Sequence, residues 1–415
     1  MGRIVTLDNK IRLQLDPLTN MDSFALGLWV NAGARDESLP QNGIAHLLEH
    51  MAFKGTRKRN ARDIAEQIES VGGWINAATS YQRTGYFVRG LTNDLNIGID
   101  VLADIFFDAV VDEKELKKEA AVVLQEIGEA ADDPEDVMYE QLQAAAFDGQ
   151  SLGRPILGTA SSVQSFCGDD LRAFVARYYR PENIVVSISG GFDEAAACEA
   201  LRCAFDRSFE PAALVTRSKA KYVGGDRHRS GDFDQTQIGL TGLGVGDRHE
   251  LYFASRILGE ILGGGMASRL FQTIREERGL AYSVCAFAEH YDDIGLITMA
   301  AGTDGANCAE VVSLMKQAVM DCADRIHDAE LKRAKAVFKA NLLMALEAPM
   351  ARAEAHASYL LRFGQPLSSS DIVRQIDAVT AEDVRECAKI LLSRPLSLSV
   401  VGEADFGAAQ GALHG

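Results

Sequence analysis

Two stretches of this chain follow one design. Arg180-Pro181 leads into Ile184-Val185-Val186-Ser187-Ile188-Ser189-Gly190, and Arg394-Pro395 leads into Leu396-Ser397-Leu398-Ser399-Val400-Val401-Gly402. Each is an Arg-Pro followed by a β-prone run and a glycine. Each comes near the end of a half that also opens with β-prone sequence: Ile11 to Leu15 and then Ser23 to Gly33 in the first half, Gln235 to Gly242 in the second. Recurrence of this kind points to a divergent internal duplication. The chain of 415 residues also exceeds what one hydrophobic core usually supports. Residues 208–232 are rich in Pro, Ser, Lys, Arg, Gly and Asp and weak in periodicity, which marks a connection. The expected division is a domain over 1–210, a linker over 211–232 and a homologous domain over 233–415.

Inside each half the strand-like segments cluster, with helical stretches between them. Helical periodicity covers residues 61–71, 94–110, 113–131, 134–146 and 168–179. In the second half it covers 250–262, 266–278, 305–323, 328–346, 350–363 and 380–392. This grouping predicts an α+β fold of two similar domains, each a mixed β-sheet with helices packed on one face.

The chemistry concentrates in His46-Leu47-Leu48-Glu49-His50, an H-x-x-E-H order. Histidines four apart lie one turn apart on one face of a helix. Neutral imidazoles at that spacing can close on one Zn²⁺. With about 100° per residue, His46, Glu49, His50 and Phe53 share a sector of roughly 100°. Ile44, Leu47, Leu48 and Met51 cluster opposite. Glu49 is thereby placed to take a proton from water attacking a peptide carbonyl. Catalytic zinc usually takes a third protein ligand. The other six histidines show no local pairing. Better candidates lie on the segment Glu115 to Glu129, where Glu119 and Glu126 are seven apart and flank an apolar stripe of Leu116, Ala120, Val123, Leu124 and Ile127. From spacing alone, one of them could ligate the metal and the other orient a histidine, or both could belong to a solvated charge stripe.

Other classes are disfavoured. The formal charge of −17, with no dominant basic patch, argues against a nucleic-acid partner. No apolar run approaches the roughly 20 residues of a membrane span. No P-loop, no G-x-G-x-x-G after a strand and no G-x-S-x-G elbow occurs. The seven cysteines are scattered, odd in number and contain no C-x-x-C, which fits a reducing compartment and leads us to expect a cytoplasmic protein.

Gly43 to Thr56 (GIAHLLEHMAFKGT), Gly72 to Ala77 (GGWINA), Val123 to Ile127 (VLQEI) and Leu262 to Val284 (LGGGMASRLFQTIREERGLAYSV) together resemble the pitrilysin-type inverzincin zinc peptidases. The likeness is to their short-chain branch, similar to the mitochondrial processing peptidase β-subunit, and it spans essentially the whole chain. It implies a zinc metalloendopeptidase with one Zn²⁺ per chain held by His46, His50 and Glu126. Glu49 is then the general base and Glu119 a supporting acid. Arg275 and Tyr282 are the pair that stabilises the oxyanion, and Asn76 and Ala77 lie on a strand that binds extended substrate. It further implies a homodimer that closes into a chamber around the peptide. One departure is Gln82, where relatives often carry an acid. The alternative within the family is a non-catalytic core or scaffold subunit, which would have lost part of the metal motif or the Arg/Tyr pair. A structural zinc site, the third option, normally wants four closed ligands, often Cys, and no Cys lies near His46.

Overall fold

The computed structural model describes residues 2–210 and 215–415, so residues 211–214 of the expected linker lie outside the described residues. The chain divides into two compact units. In the first, β1 (Arg3–Thr6), β2 (Arg12–Pro17), β3 (Ser23–Val30), β4 (Trp74–Thr79), β5 (Thr84–Leu91) and β6 (Ile184–Gly190) form one sheet in the order β1-β2-β6-β3-β5-β4. The second holds β7 (Asp226–Arg229), β8 (Thr236–Gly244), β9 (Ala281–His290), β10 (Gly295–Thr303) and β11 (Ser397–Val401), ordered β7-β11-β8-β10-β9.

Apart from β1, the two orders are the same. The strand after each Arg-Pro, β6 or β11, inserts beside the first strand of its set and runs parallel to it; the other pairings are antiparallel. The repeated sequence stretch is therefore the repeated central strand of a duplicated sheet.

The units are not contiguous in sequence. Residues 128–154 belong to the second and 343–368 to the first, so two segments cross the linear division expected at 211–232. The reason is that both central sheets bury both faces. In the first unit, Phe24, Leu26, Leu28, Val186 and Ile188 face the main core with the helices of the first half. Trp29 and Val185 point the other way, onto Ala353, Ala357 and Leu360 of the helix Pro349–Phe363. In the second unit, Ala300 and Val401 meet Val137, Met138 and Leu142 of the helix Pro134–Ala146. Each half thus lends one helix to the other unit's sheet. The expected single helical face holds for the helices of each half, and the opposite face is covered by the exchanged one. Both β6 and β11 are buried along their whole length, with Ser187, Ser189, Ser397 and Ser399 buried among their apolar residues.

Candidate active site

The motif helix spans Ile44–Ala52. Its start is fixed by Gly43, whose φ of +94° suits glycine; a Cβ there would also lie 2.7 Å from the Leu157 carbonyl oxygen. The Glu37 carboxylate accepts from the Gly43 and Ala45 amides, both at 2.9 Å, and from Asn42 Nδ2 at 3.1 Å. A carboxylate on the free amides of a helix N-terminus is well placed for both hydrogen bonding and the helix dipole. Ile44, Leu47, Leu48 and Met51 are buried in the core, so the wheel leaves His46, Glu49 and His50 on the remaining face.

The glutamates reach this face because the chain is tied down just before their helix, Glu113–Asp132. Thr56, shortly after the motif, bridges to Ala109, and the Val110 amide donates to the Gly55 carbonyl at 2.9 Å. Glu126 Oε2 then lies 3.7 Å from His46 Nε2 and 3.5 Å from His50 Nε2. Among the described residues, His46, His50 and Glu126 are the group whose ligand atoms could hold a metal ion, all within 4.8 Å of one another. Around tetrahedral zinc with bonds of 2.0–2.1 Å, ligand atoms sit roughly 3.4 Å apart. The donor set and its spacing fit zinc.

The two histidines differ in their outer contacts. His50 Nδ1 lies 3.2 Å from Glu119 Oε2, and Glu119 is buried. That bond leaves His50 Nε2 facing Glu126. His46 Nδ1 is buried without a hydrogen-bond partner among the described residues. Burial, and then the neighbouring His50, push the His46 imidazole down to about 4, so it stays neutral, as a metal ligand must be. Burial also pushes the Glu49 carboxyl up, opposed by hydrogen bonds at Thr79 and the charge of His50. A carboxyl raised in this way is better matched to proton transfer near neutrality. Glu49 Oε2 is buried and has no hydrogen-bond partner among the described residues.

β4 forms one edge of its sheet, and Thr79 at its end donates to the Ala45 carbonyl of the motif helix at 3.5 Å. Asn76 is exposed and Ala77 is buried on that strand. Its outer backbone groups are unpaired within the sheet, so the strand can accept an extended chain by β-augmentation. Gln82, the departure noted above, is buried, and its carbonyl accepts from Arg217 at 2.9 Å.

In the second unit, the Arg275 guanidinium stacks over the Tyr282 ring at 4.7 Å. Both residues stand in local distortions. Arg275 lies in a π-helical stretch, Phe271–Glu277. Along β9, Ser283 pairs with Gly302 and Ala281 with Thr303, so Tyr282 is the extra residue of a β-bulge and is 75% exposed. π-Helical turns and bulges are frequent where a side chain must be re-aimed at functional sites. Sequence periodicity gave a helix and a strand here but neither distortion.

Three residues near the motif were not singled out from sequence. Tyr86 and Tyr179 share a buried hydroxyl–hydroxyl bond of 2.9 Å, and the nearby Glu49 charge adds to the burial that holds both phenols protonated. Lys54 lies 2.7 Å from Glu119. Its spacing of four from His50 was the one available signal.

A zinc-competent His/His/Glu group on a duplicated α+β scaffold defines a metallopeptidase class, and comparison with known proteins agrees. The model of Insulinase (Peptidase family M16) matches residues 17–160, and that of the Peptidase M16 inactive domain matches residues 165–338. The uncharacterized zinc protease YmxG of Bacillus subtilis is 35% identical over 95% of this chain and 97% of its own length. A zinc protease of Rickettsia bellii is 34% identical over 95% and 96%. Among solved structures, a protease from Helicobacter pylori superposes with a TM-score of 0.89 at 22% identity, covering 97% of this chain and 99% of that one. A chain of complex III2 from Candida albicans gives 0.86 at 20%, covering 99% of both. This chain belongs to peptidase family M16, the insulinase family, and is a zinc protease of the short-chain type with Zn²⁺ as its cofactor. No helix among the described residues is long and apolar enough to cross a membrane.

Proposed function

We propose that this protein is a zinc endopeptidase that cleaves peptides or extended, unfolded segments. The carrying observation is the meeting of His46, His50 and Glu126 around one point, with Glu49 on the same helical face and the open edge of β4 beside that helix. His46, His50 and Glu126 hold the zinc, with Glu119 behind His50. Bound zinc supplies Lewis acidity and lowers the pKa of water. Glu49 takes the proton from the attacking water and later passes it to the leaving amine. Substrate adds as a strand to β4, with the Asn76 amide and the Ala77 backbone holding it. Arg275 and Tyr282 donate to the oxygen that becomes negative; removing one donor of this kind typically costs 10²–10³-fold in rate.

Glu49→Gln should abolish cleavage of a quenched peptide while zinc content stays at one per chain, since Glu49 is a base and not a ligand. More than a few per cent of wild-type rate would remove it from that role. The chain carries both the zinc motif and the Arg/Tyr pair, so the resemblance leads us to propose a homodimer that needs no specialised partner, encloses substrate in a chamber and completes each zinc site with Arg275 and Tyr282 of the other chain. Mixing inactive Glu49→Gln with inactive Arg275→Ala chains should then restore activity through exchange of subunits. Freely exchanging subunits that stay at background would defeat this arrangement. The fold shared with a chain of complex III2 favours a second reading, a non-catalytic core subunit. The complete His/His/Glu group weighs against it, and the wild-type rate on the quenched peptide separates the two.

A further inference from the structure

The two proposed zinc histidines are held unequally. Among the described residues His46 Nδ1 has no hydrogen-bond partner, whereas His50 Nδ1 meets Glu119 at 3.2 Å. A histidine ligand normally donates its second ring N–H to an outer acceptor, which fixes its tautomer and its ring orientation. Here only His50 has that support, so the order of the site leans on the placement of one carboxylate. Glu119 is only 8% exposed at its side chain, and a buried carboxylate with a single neutral donor is poorly compensated. The second donor is the Lys54 ammonium, 2.7 Å from Oε1, while Oε2 takes His50. Lys54 follows the end of the motif helix, and its own amide donates to the Met51 carbonyl at 3.2 Å. One short segment therefore carries both ends of a closed line: His50, Glu119, Lys54.

We propose that Lys54 is a positioning residue for zinc. Its ammonium fixes the Glu119 carboxylate, which in turn fixes His50 with Nε2 toward the metal. Lys54 itself touches neither zinc nor substrate. The physical requirement is a cation with an N–H donor at that place, so arginine should largely serve and methionine should not.

The inference rests on the reading of His50 as a ligand, and the experiment keeps the two apart. Zinc affinity is measured by competition with a chromogenic chelator on wild type, Lys54→Met, Lys54→Arg, Glu119→Gln, the Lys54→Met/Glu119→Gln double variant and His50→Ala. Lys54→Met should bind zinc about 10-fold more weakly, at the lower end of the 10–100-fold found for outer partners. Lys54→Arg should recover most of that loss, and KM for peptide in zinc-saturated enzyme should stay unchanged. The double variant should be no weaker than Glu119→Gln alone, because both lesions break one line. Wild-type affinity in Lys54→Met, or losses that add in the double variant, overturns the assignment. Should Lys54→Met fail to fold, Lys54→Gln takes its place in the same cycle. If His50→Ala binds zinc as wild type does, the ligand reading itself has failed; if it loses zinc while Lys54→Met keeps it, only the role of Lys54 has.

Discussion

The two units build the same sheet and put different things in the same place on it. In the first, the helix following β3 is Ile44–Ala52, and the edge strand that comes next is β4. In the second, the helix following β8 is Tyr252–Gly263, and the next edge strand is β9. The first helix carries two histidines and a glutamate on the face that its core residues leave. The second carries no histidine, and Ala254, Ser255, Ile257, Leu258, Gly259, Ile261, Leu262 and Gly263 are all buried. Its glycines press onto the edge strand. A Cβ on Gly259 would come within 3.2 Å of the Phe287 Cα, and one on Gly263 within 2.3 Å of the Ala286 nitrogen. The equivalent location is thus a metal-competent site in one copy and a sealed backbone contact in the other. A duplicated scaffold keeps strand order while only a few side chains decide whether the helix-to-edge location is open to chemistry. The second unit instead projects Arg275 and Tyr282 from a π-turn and a bulge.

The largest effect should come from breaking the site where it is open. Glu126→Gln should reduce zinc affinity by more than 100-fold, since the proposed carboxylate ligand is lost, and Glu119→Gln by 10–100-fold. Equilibrium dialysis against zinc buffers measures both. If Glu119→Gln strips the metal and Glu126→Gln does not, the two acids have exchanged roles and the asymmetry between His46 and His50 needs another cause.

A smaller loss should follow from forcing open the sealed copy. Gly263→Ala places a methyl against β9 backbone, and overpacking of this kind typically costs 1–3 kcal/mol. Chemical denaturation of the zinc-loaded protein reads this as a lower midpoint. An unchanged midpoint would mean that the glycine contact is not what closes the second copy.

The smallest effect concerns the exchanged helices, which the two units also anchor differently. In the second, Met138 and Leu142 lie over Gly239, where a Cβ would be 2.2 Å from the Met138 sulfur. In the first, Arg352 grips Asp16 with two bonds of 2.7 and 3.0 Å, and Ser189 donates to the same carboxylate. Burial alone would raise the Asp16 carboxyl, but bonds from His356, Arg352 and Ser189 outweigh it and hold the group well below the usual carboxylate range. A carboxyl depressed in the folded state stabilises above its unfolded value of about 3.9, and that contribution is lost as pH falls through the folded value. Wild type should therefore lose stability below about pH 4 more steeply than Asp16→Asn, which should be weaker at neutral pH. Thermal unfolding across that range checks it, and parallel curves for the two proteins would sink the idea.

Much of this was open to reading along the chain. The H-x-x-E-H spacing requires a helix that shows both imidazoles on one face, because α-helical pitch is fixed by backbone hydrogen bonds. The two Arg-Pro runs told of a repeated strand, because proline and glycine punctuate a β-run wherever it lies. The spacing of Glu119 and Glu126 told that they share a face but not which one approaches both histidines and which one only His50. That choice depends on where the bridge between Thr56 and Ala109 ties the two helices, a contact between residues 53 apart in sequence that no local pattern encodes. The exchange of Pro134–Ala146 and Pro349–Phe363 was likewise invisible, since an amphipathic helix states that it needs an apolar partner and not which sheet will provide it. Local sequence determined the elements and the chemistry that they carry. Only tertiary packing decided which carboxylate faces both histidines, which faces lysine, and which half of the chain covers which sheet, because those outcomes depend on long-range burial and not on backbone periodicity.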